Sequence, residues 1–183
     1  MTRFQQCLQF TLTAEGGFVD NPDDPGGATN KGITLRTFQR YRPKATIEDL
    51  KAIDDETVVV IYNDGYWLPC HCAALPTGAD LMVFDMAVNA GVRASTLMLQ
   101  RAVDATPDGF IGPATLKSAR SHQPSELVAL LEQAQLRYYQ SLPGWQHFSR
   151  GWSSRLALRA AAASQALDPT PSDPLPHPPG SVA

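Results

Sequence analysis

Glu15, Asp24 and Thr29 have the residue types and spacing for general acid–base chemistry. In the segment Phe4 to Glu15, positions 4, 8, 11, 12 and 15 fall on one face of a helix. Glu15 therefore extends the stripe of Phe4, Leu8 and Leu12 instead of joining the solvent face. A carboxylate at that point meets the negative end of the helix dipole and is partly desolvated. Both effects disfavour its ionised form and are expected to raise its pKa. A carboxyl group in that state is a general acid near neutral pH.

Gly16-Gly17 is expected to end the helix, with a glycine in the left-handed conformation of a C-terminal cap. Pro25-Gly26-Gly27 and Gly32 then predict tight turns between short extended pieces, a small β-hairpin or loop. Composition alone would also describe a glycine-rich surface loop with a stray acid. The stronger signal is an acid on an apolar face, followed nine residues later by Asp24 and five after that by Thr29.

The run from Glu15 to Thr34 resembles the signature of glycoside hydrolase family 108, muramidases of phage endolysins and related bacterial proteins. The resemblance implies that Glu15, the glutamate before the paired glycines, is the catalytic acid. The Glu–Asp–Thr order also resembles phage-type lysozymes, in which aspartate and threonine place the attacking water. Asp24 and Thr29 match that order with a gap one residue shorter, and the adjacent Asp23 could take the role of Asp24. The implied activity is hydrolysis of the β-1,4 bond between N-acetylmuramic acid and N-acetylglucosamine in bacterial peptidoglycan, without a cofactor. A lytic transglycosylase and a non-catalytic wall-binding or secretion-accessory protein are the alternatives.

Further along, Leu35 to Tyr41 and the capping-box start Thr46-Ile47-Glu48-Asp49 predict short helices. The run Val58 to Tyr62 is β-branched and reads equally as a strand; the resemblance implies a helix through Trp67. Tyr66 and Trp67 are candidates to line a sugar cleft or to pack in the core. Ala79 to Asn89 predicts a helix apolar nearly all round, hence a core helix. Its Asp85 needs a partner, either a structural hydrogen bond or, with Asn89 four residues on, a place on the cleft floor.

Asp108-Gly109-Phe110-Ile111-Gly112-Pro113 resembles the peptidoglycan-binding module that accompanies the muramidase motif, and reads otherwise as a helix–turn–helix connector. Helices are predicted from Leu97 to Ala102, from Pro124 to about Gln140 and from Trp145 to Leu167. The spacing of Trp145, Phe148, Trp152 and Leu156 reads as core rather than as a carbohydrate platform. Residues 168–183 hold six prolines and are expected to be a disordered tail.

Composition narrows the partners. The net charge of −3 gives no nucleic-acid signal. Residues 1–90 carry 7 basic and 12 acidic side chains, and residues 91–167 carry 8 and 4. Attraction to an anionic wall is thus expected from the second half, with Arg137, Arg150, Arg155 and Arg159 as candidates. No run reaches the roughly 18 apolar residues of a membrane span. Met1 to Gln6 lacks the apolar segment of a signal peptide, so synthesis in the bacterial cytoplasm and delivery by another component, such as a holin, are expected. Cys7, Cys70 and Cys72 cannot all pair, and Cys70-His71-Cys72 lacks a fourth ligand at suitable spacing. Reduced thiols, no metal and a monomer are expected.

The expected architecture is mainly α and lysozyme-like, with a small irregular or β-hairpin lobe after the first helix. Residues 1–90 form the muramidase region and 91–167 a helical peptidoglycan-binding-like region packed on it. The cleft is expected between the lobe and the helical body.

Overall fold

The computed structural model describes residues 1–20 and 27–167; Asp23, Asp24 and the tail from residue 168 lie outside the described residues. Helix α1 (Arg3–Ala14) opens with a capping box in which Thr2 and Gln5 satisfy each other's backbone N–H groups. A two-stranded antiparallel hairpin follows, β1 (Thr29–Asn30) and β2 (Ile33–Thr34). Lys31 and Gly32 turn it with φ of 49° and 72°, the pair of positive angles that a two-residue hairpin turn requires. Val19 bridges to Thr29 on the outer side, giving the lobe a third extended piece. Buried Asn30 donates to the carbonyls of Leu50 and Lys51 and pins the hairpin to the next helices.

Those helices are short. They are α2 (Leu35–Phe38), α3 (Ile47–Lys51), with Thr46 and Asp49 forming its capping box, and α4 (Asp55–Tyr62), capped by Asp54. The stretch Val58–Tyr62 is helix, not strand, because Val58, Ile61 and Tyr62 bury one face at helical spacing. The chain continues as a π-helical segment, Asn63–Trp67, and after a 3₁₀ turn, Cys72–Ala74, reaches α5 (Ala79–Ala90).

Helix α5 is the axis of the molecule: every residue from Ala79 to Ala87 is buried. Around it pack α1, α6 (Val92–Ala102), α8 (Pro124–Ser141) and α9 (Trp145–Gln165), while α7 (Pro113–Ser121) is tied to the end of α6 by Ser118, which donates to the Val103 carbonyl. Polar bonds fix their register on α5. Arg3 forks onto buried Asp80 at 2.7 and 2.9 Å, Ser95 donates to the Val83 carbonyl, and Gln135 donates to that of Met82. Helix α6 begins earlier than its apolar spacing suggests, at Val92, directly after Gly91 with φ of 89°.

The run Asp108 to Pro113 is a tightly bonded turn. Buried Gln100 donates to Asp108 and to the Phe110 carbonyl and accepts from the Gly109 N–H. Pro113 opens α7. The fold is mainly α with one small β-hairpin lobe after the first helix, the lysozyme-like arrangement expected from sequence.

Candidate active site

Glu15 does not sit in the last turn of α1. It is the C-cap, with extended backbone (φ −84°, ψ 137°), and its N–H still reaches the Thr11 carbonyl at 3.2 Å. The left-handed glycine cap expected from Gly16-Gly17 is absent: neither residue has positive φ. The helix ends because Glu15 itself turns extended. Its side chain thereby enters the junction between the hairpin and the helical body, where it is 21% exposed.

The hairpin side of that junction is made by backbone and by tyrosine. Tyr62, buried at the end of α4, donates to the Lys31 carbonyl at 2.8 Å. A Cβ placed on Gly32 would stand 2.8 Å from Glu15 Oε2 and 2.5 Å from the Tyr62 hydroxyl oxygen. Gly32 is therefore required twice, by its positive φ and by the carboxylate packed against it. Burial, and then the negative charge of Glu15, push the Tyr62 hydroxyl far above the usual tyrosine range. The same two causes raise half-buried Tyr66, whose ring lies 5.7 Å from that of Tyr62. Both tyrosines thus stay neutral hydroxyls beside Glu15. Gly32→Ala is expected to abolish most activity while costing only about 1–3 kcal/mol of stability, the usual size of local backbone strain. Activity and Tm measured together check this.

The body side is made by charge. Arg155 on α9 donates from one Nη to Glu15 Oε1 at 3.0 Å and to Asp85 Oδ1 at 2.9 Å. Asp85 is fully buried on α5 and also accepts from Thr11 at 2.9 Å and from fully buried Arg159 at 2.6 Å. Arg159 is held in turn by Gln135 at 2.6 Å. Burial pushes the Asp85 carboxyl up, but Arg159 and Arg155 outweigh it and hold the group below the usual carboxylate range. Burial likewise opposes the charge on Arg155, and Asp85 and Glu15 more than offset it, so its pKa is raised. Every buried side-chain polar atom among the described residues has a partner.

Several sequence-predicted roles change in this light. Trp67 is 5% exposed and packs against Phe4 and Phe84, so its ring belongs to the core and lines no cleft. Asp85 takes the structural of its two expected roles: with no exposed surface it cannot touch a sugar, and it acts on Glu15 only through Arg155. Asn89 is exposed and donates back to the Asp85 carbonyl within α5. Tyr66 is half-buried and packs on Tyr62, the tyrosine that shares the Gly32 pocket with Glu15. Thr29 is half-buried in β1, with its hydroxyl on the Gly27 carbonyl at 3.3 Å.

Two of the four arginines expected to face an anionic wall are paired inside the protein: Arg159 is fully buried on Asp85, and Arg155, partly exposed, is held by Asp85 and Glu15. Arg137 and Arg150 are exposed. Replacing those two with glutamine is expected to weaken wall pull-down at low salt, with the difference fading above about 0.1 M, where the Debye length is near 10 Å. Pull-down across a salt series reads this out.

The parts that Arg155, Tyr62 and Gly32 play beside Glu15 were not read from the sequence, where Arg155 was a wall-facing candidate and Gly32 a turn residue. The available signal was Arg155 and Arg159 on the same helical face as Trp152 and Leu156, opposite a lone acid in an apolar helix.

This geometry agrees with what the chain resembles. The model of the glycosyl hydrolase 108 family matches residues 8–91, and that of a predicted peptidoglycan domain matches residues 94–157. No curated protein matches the chain. The solved structure of SagA from Brucella abortus is similar with a TM-score of 0.81 and 32% identity, over 90% of this chain and 95% of that one. The two matched regions make a glycoside hydrolase that acts on peptidoglycan. Glu15 and the hairpin lie in the first region and the Arg155 that holds Glu15 in the second; on these matches and this shared site, the chain belongs to the glycosyl hydrolase 108 family.

Proposed function

We propose that the protein is an N-acetylmuramidase that hydrolyses the β-1,4 bond between N-acetylmuramic acid and N-acetylglucosamine, with Glu15 as general acid. The observation that carries this reading is the division of labour between the two carboxylate oxygens. Among the described residues Oε1 is held by Arg155, while Oε2 lies on the Gly32 side and is the oxygen placed to carry the transferable proton. Protonation of the glycosidic oxygen by Oε2 lets the bond break as oxocarbenium-like charge develops on the sugar. The carboxylate left behind is an anion that Arg155 already contacts, which favours the transfer without any rearrangement of charge.

Water completes the reaction. Asp24, assisted by Thr29, would orient and deprotonate it, a role that rests on chain order after Glu15. The proton that Asp24 takes from the water is then released to solvent and Glu15 regains one from solvent, which returns both carboxyls to their starting state. If Asp24 is the base of an inverting enzyme, its carboxyl stands roughly 6.5–9.5 Å from that of Glu15, whereas a nucleophile would stand about 5–5.5 Å away.

The test is the identity of the new chain end. Digested peptidoglycan is reduced with borohydride and its products are weighed by mass spectrometry. Reduced muramic acid ends are expected. Reduced glucosamine ends would place the cut at the other bond, and an unchanged glycan would mean binding without turnover.

A further inference from the structure

Helix α9 carries a row of rings that the chemistry at Glu15 leaves unused. Trp145, Phe148, Trp152, Arg155 and Arg159 recur every three or four residues and so share one face. The far end of that face is core, with Arg159 and Leu156 buried. The near end is not. Phe148 is 59% exposed, and Trp145 and Trp152 are half-buried. The expectation that this stripe packs in the core fails there.

The rings form an ordered stack. Trp152 lies on buried Tyr139 at 5.5 Å between centroids with planes 29° apart. Phe148 covers Trp152 at 5.7 Å and 31°, and Trp145 flanks it at 6.4 Å. The preceding turn is fitted to them: a Cβ on Gly144 would meet both Phe148 and Trp152 at 3.1 Å. The base of the stack is tied to the active site. The Tyr139 hydroxyl is 3.4 Å from Arg159, whose partner Asp85 also holds Arg155. A lone exposed phenylalanine needs no explanation. One that ends a stack built on the network holding the catalytic acid does.

We propose that Phe148, supported by Trp152 and Trp145, is a sugar-stacking subsite for the glycan strand on which Glu15 acts. A pyranose ring has a face of C–H groups and a rim of hydroxyls. It can lay that face on an aromatic ring and keep its rim in water. From the helical rise alone, Trp152 and Phe148 lie about 4.5 Å and about 10.5 Å along α9 from Arg155. That is the reach of a strand continuing past the sugar pair at the scissile bond. The subsite therefore favours long strands over the disaccharide. The identity of the ligand rests on the proposed muramidase reading, but its binding is measured without turnover.

The experiment uses the full chain carrying Glu15→Gln, so that substrate is bound and not consumed. The probes are peptide-free glycan strands of alternating N-acetylglucosamine and N-acetylmuramic acid, and the corresponding disaccharide. Adding Phe148→Ala is expected to weaken long-strand binding about two- to tenfold, the range of one aromatic contact. Disaccharide binding is expected to change less, and Phe148→Tyr should restore the loss. Equal long-strand affinity with and without Phe148→Ala overturns the proposal. So does a Phe148→Ala effect confined to self-association, seen by light scattering with unaltered glycan binding, which would make the stack an interface between copies. A wild-type protein that cuts nothing yet loses strand binding on Phe148→Ala would remove the muramidase reading and leave the subsite standing.

Discussion

Glu15→Gln is expected to lower the rate of peptidoglycan hydrolysis by about 10²–10⁴-fold, the usual worth of a general acid. The amide matches the carboxyl in size, and its oxygen can still accept from Arg155 in place of Oε1. Gly32 leaves the same space on the other side. The fold and the affinity for wall should therefore survive, and the loss should fall on turnover. Release of reducing ends, compared with wall pull-down on the same preparation, makes the separation. A variant that keeps half the wild-type rate would remove Glu15 from the chemistry.

Asp85→Asn is expected to have the largest effect on stability. The carboxylate is fully buried and accepts from Thr11, Arg155 and Arg159, and Arg159 is itself fully buried. An amide in that position leaves Arg159 with a buried charge and no counter-charge. Breaking a buried pair in this way costs about 3–5 kcal/mol, which for a chain of this size lowers Tm by about 6–20 °C.

The pH dependence has a definite sign. Because the folded-state pKa of Asp85 lies below its ordinary value of about 3.9, the network contributes fully above that value. Its contribution is lost as the pH falls through the depressed folded value. The wild type should thus lose Tm steeply in acid, and Asp85→Asn should start lower and fall less. Activity should fall as well, since Arg155 loses the partner that positions it on Glu15. Calorimetry across an acidic pH series, with activity at neutral pH, tests each part. An unchanged Tm would mean that the network is not what joins α1, α5 and α9.

Local signals were legible where one segment settles the question. The capping box at Thr46, proline at the start of α7 and α8, and the all-apolar α5 each follow from short-range chemistry. The hairpin could be expected from Gly32 and the extended pieces around it. Glu15 could be singled out because an acid on an apolar stripe is costly.

What escaped was non-local. Arg155 is 140 residues from Glu15, and no periodicity within one helix indicates which distant cation meets which acid. The need of Asp85 for a partner was visible, but the partner was not. The glycine cap failed because Gly16-Gly17 permits a left-handed turn without requiring one. Phe148 failed differently: helical spacing tells which residues share a face, but not how far the neighbouring helices cover it. The helices packed on α9 bury Leu156 and leave Phe148 in water.

Both family regions contribute to one candidate catalytic group, since the first supplies Glu15 and Gly32 and the second supplies Arg155. The region from 94 to 157 is thus part of the candidate active site as well as a match to a peptidoglycan domain.

The central claim is that Glu15 delivers a proton so that water, and not a sugar hydroxyl, takes the bond. Digestion of purified peptidoglycan in heavy-oxygen water, followed by mass spectrometry of the products, tests it most directly. The account predicts new muramic acid reducing ends that carry one heavy oxygen atom, absent when Glu15→Gln replaces the wild type. Anhydro-muramic ends without the label would contradict it, because the sugar's own hydroxyl would then have made the attack.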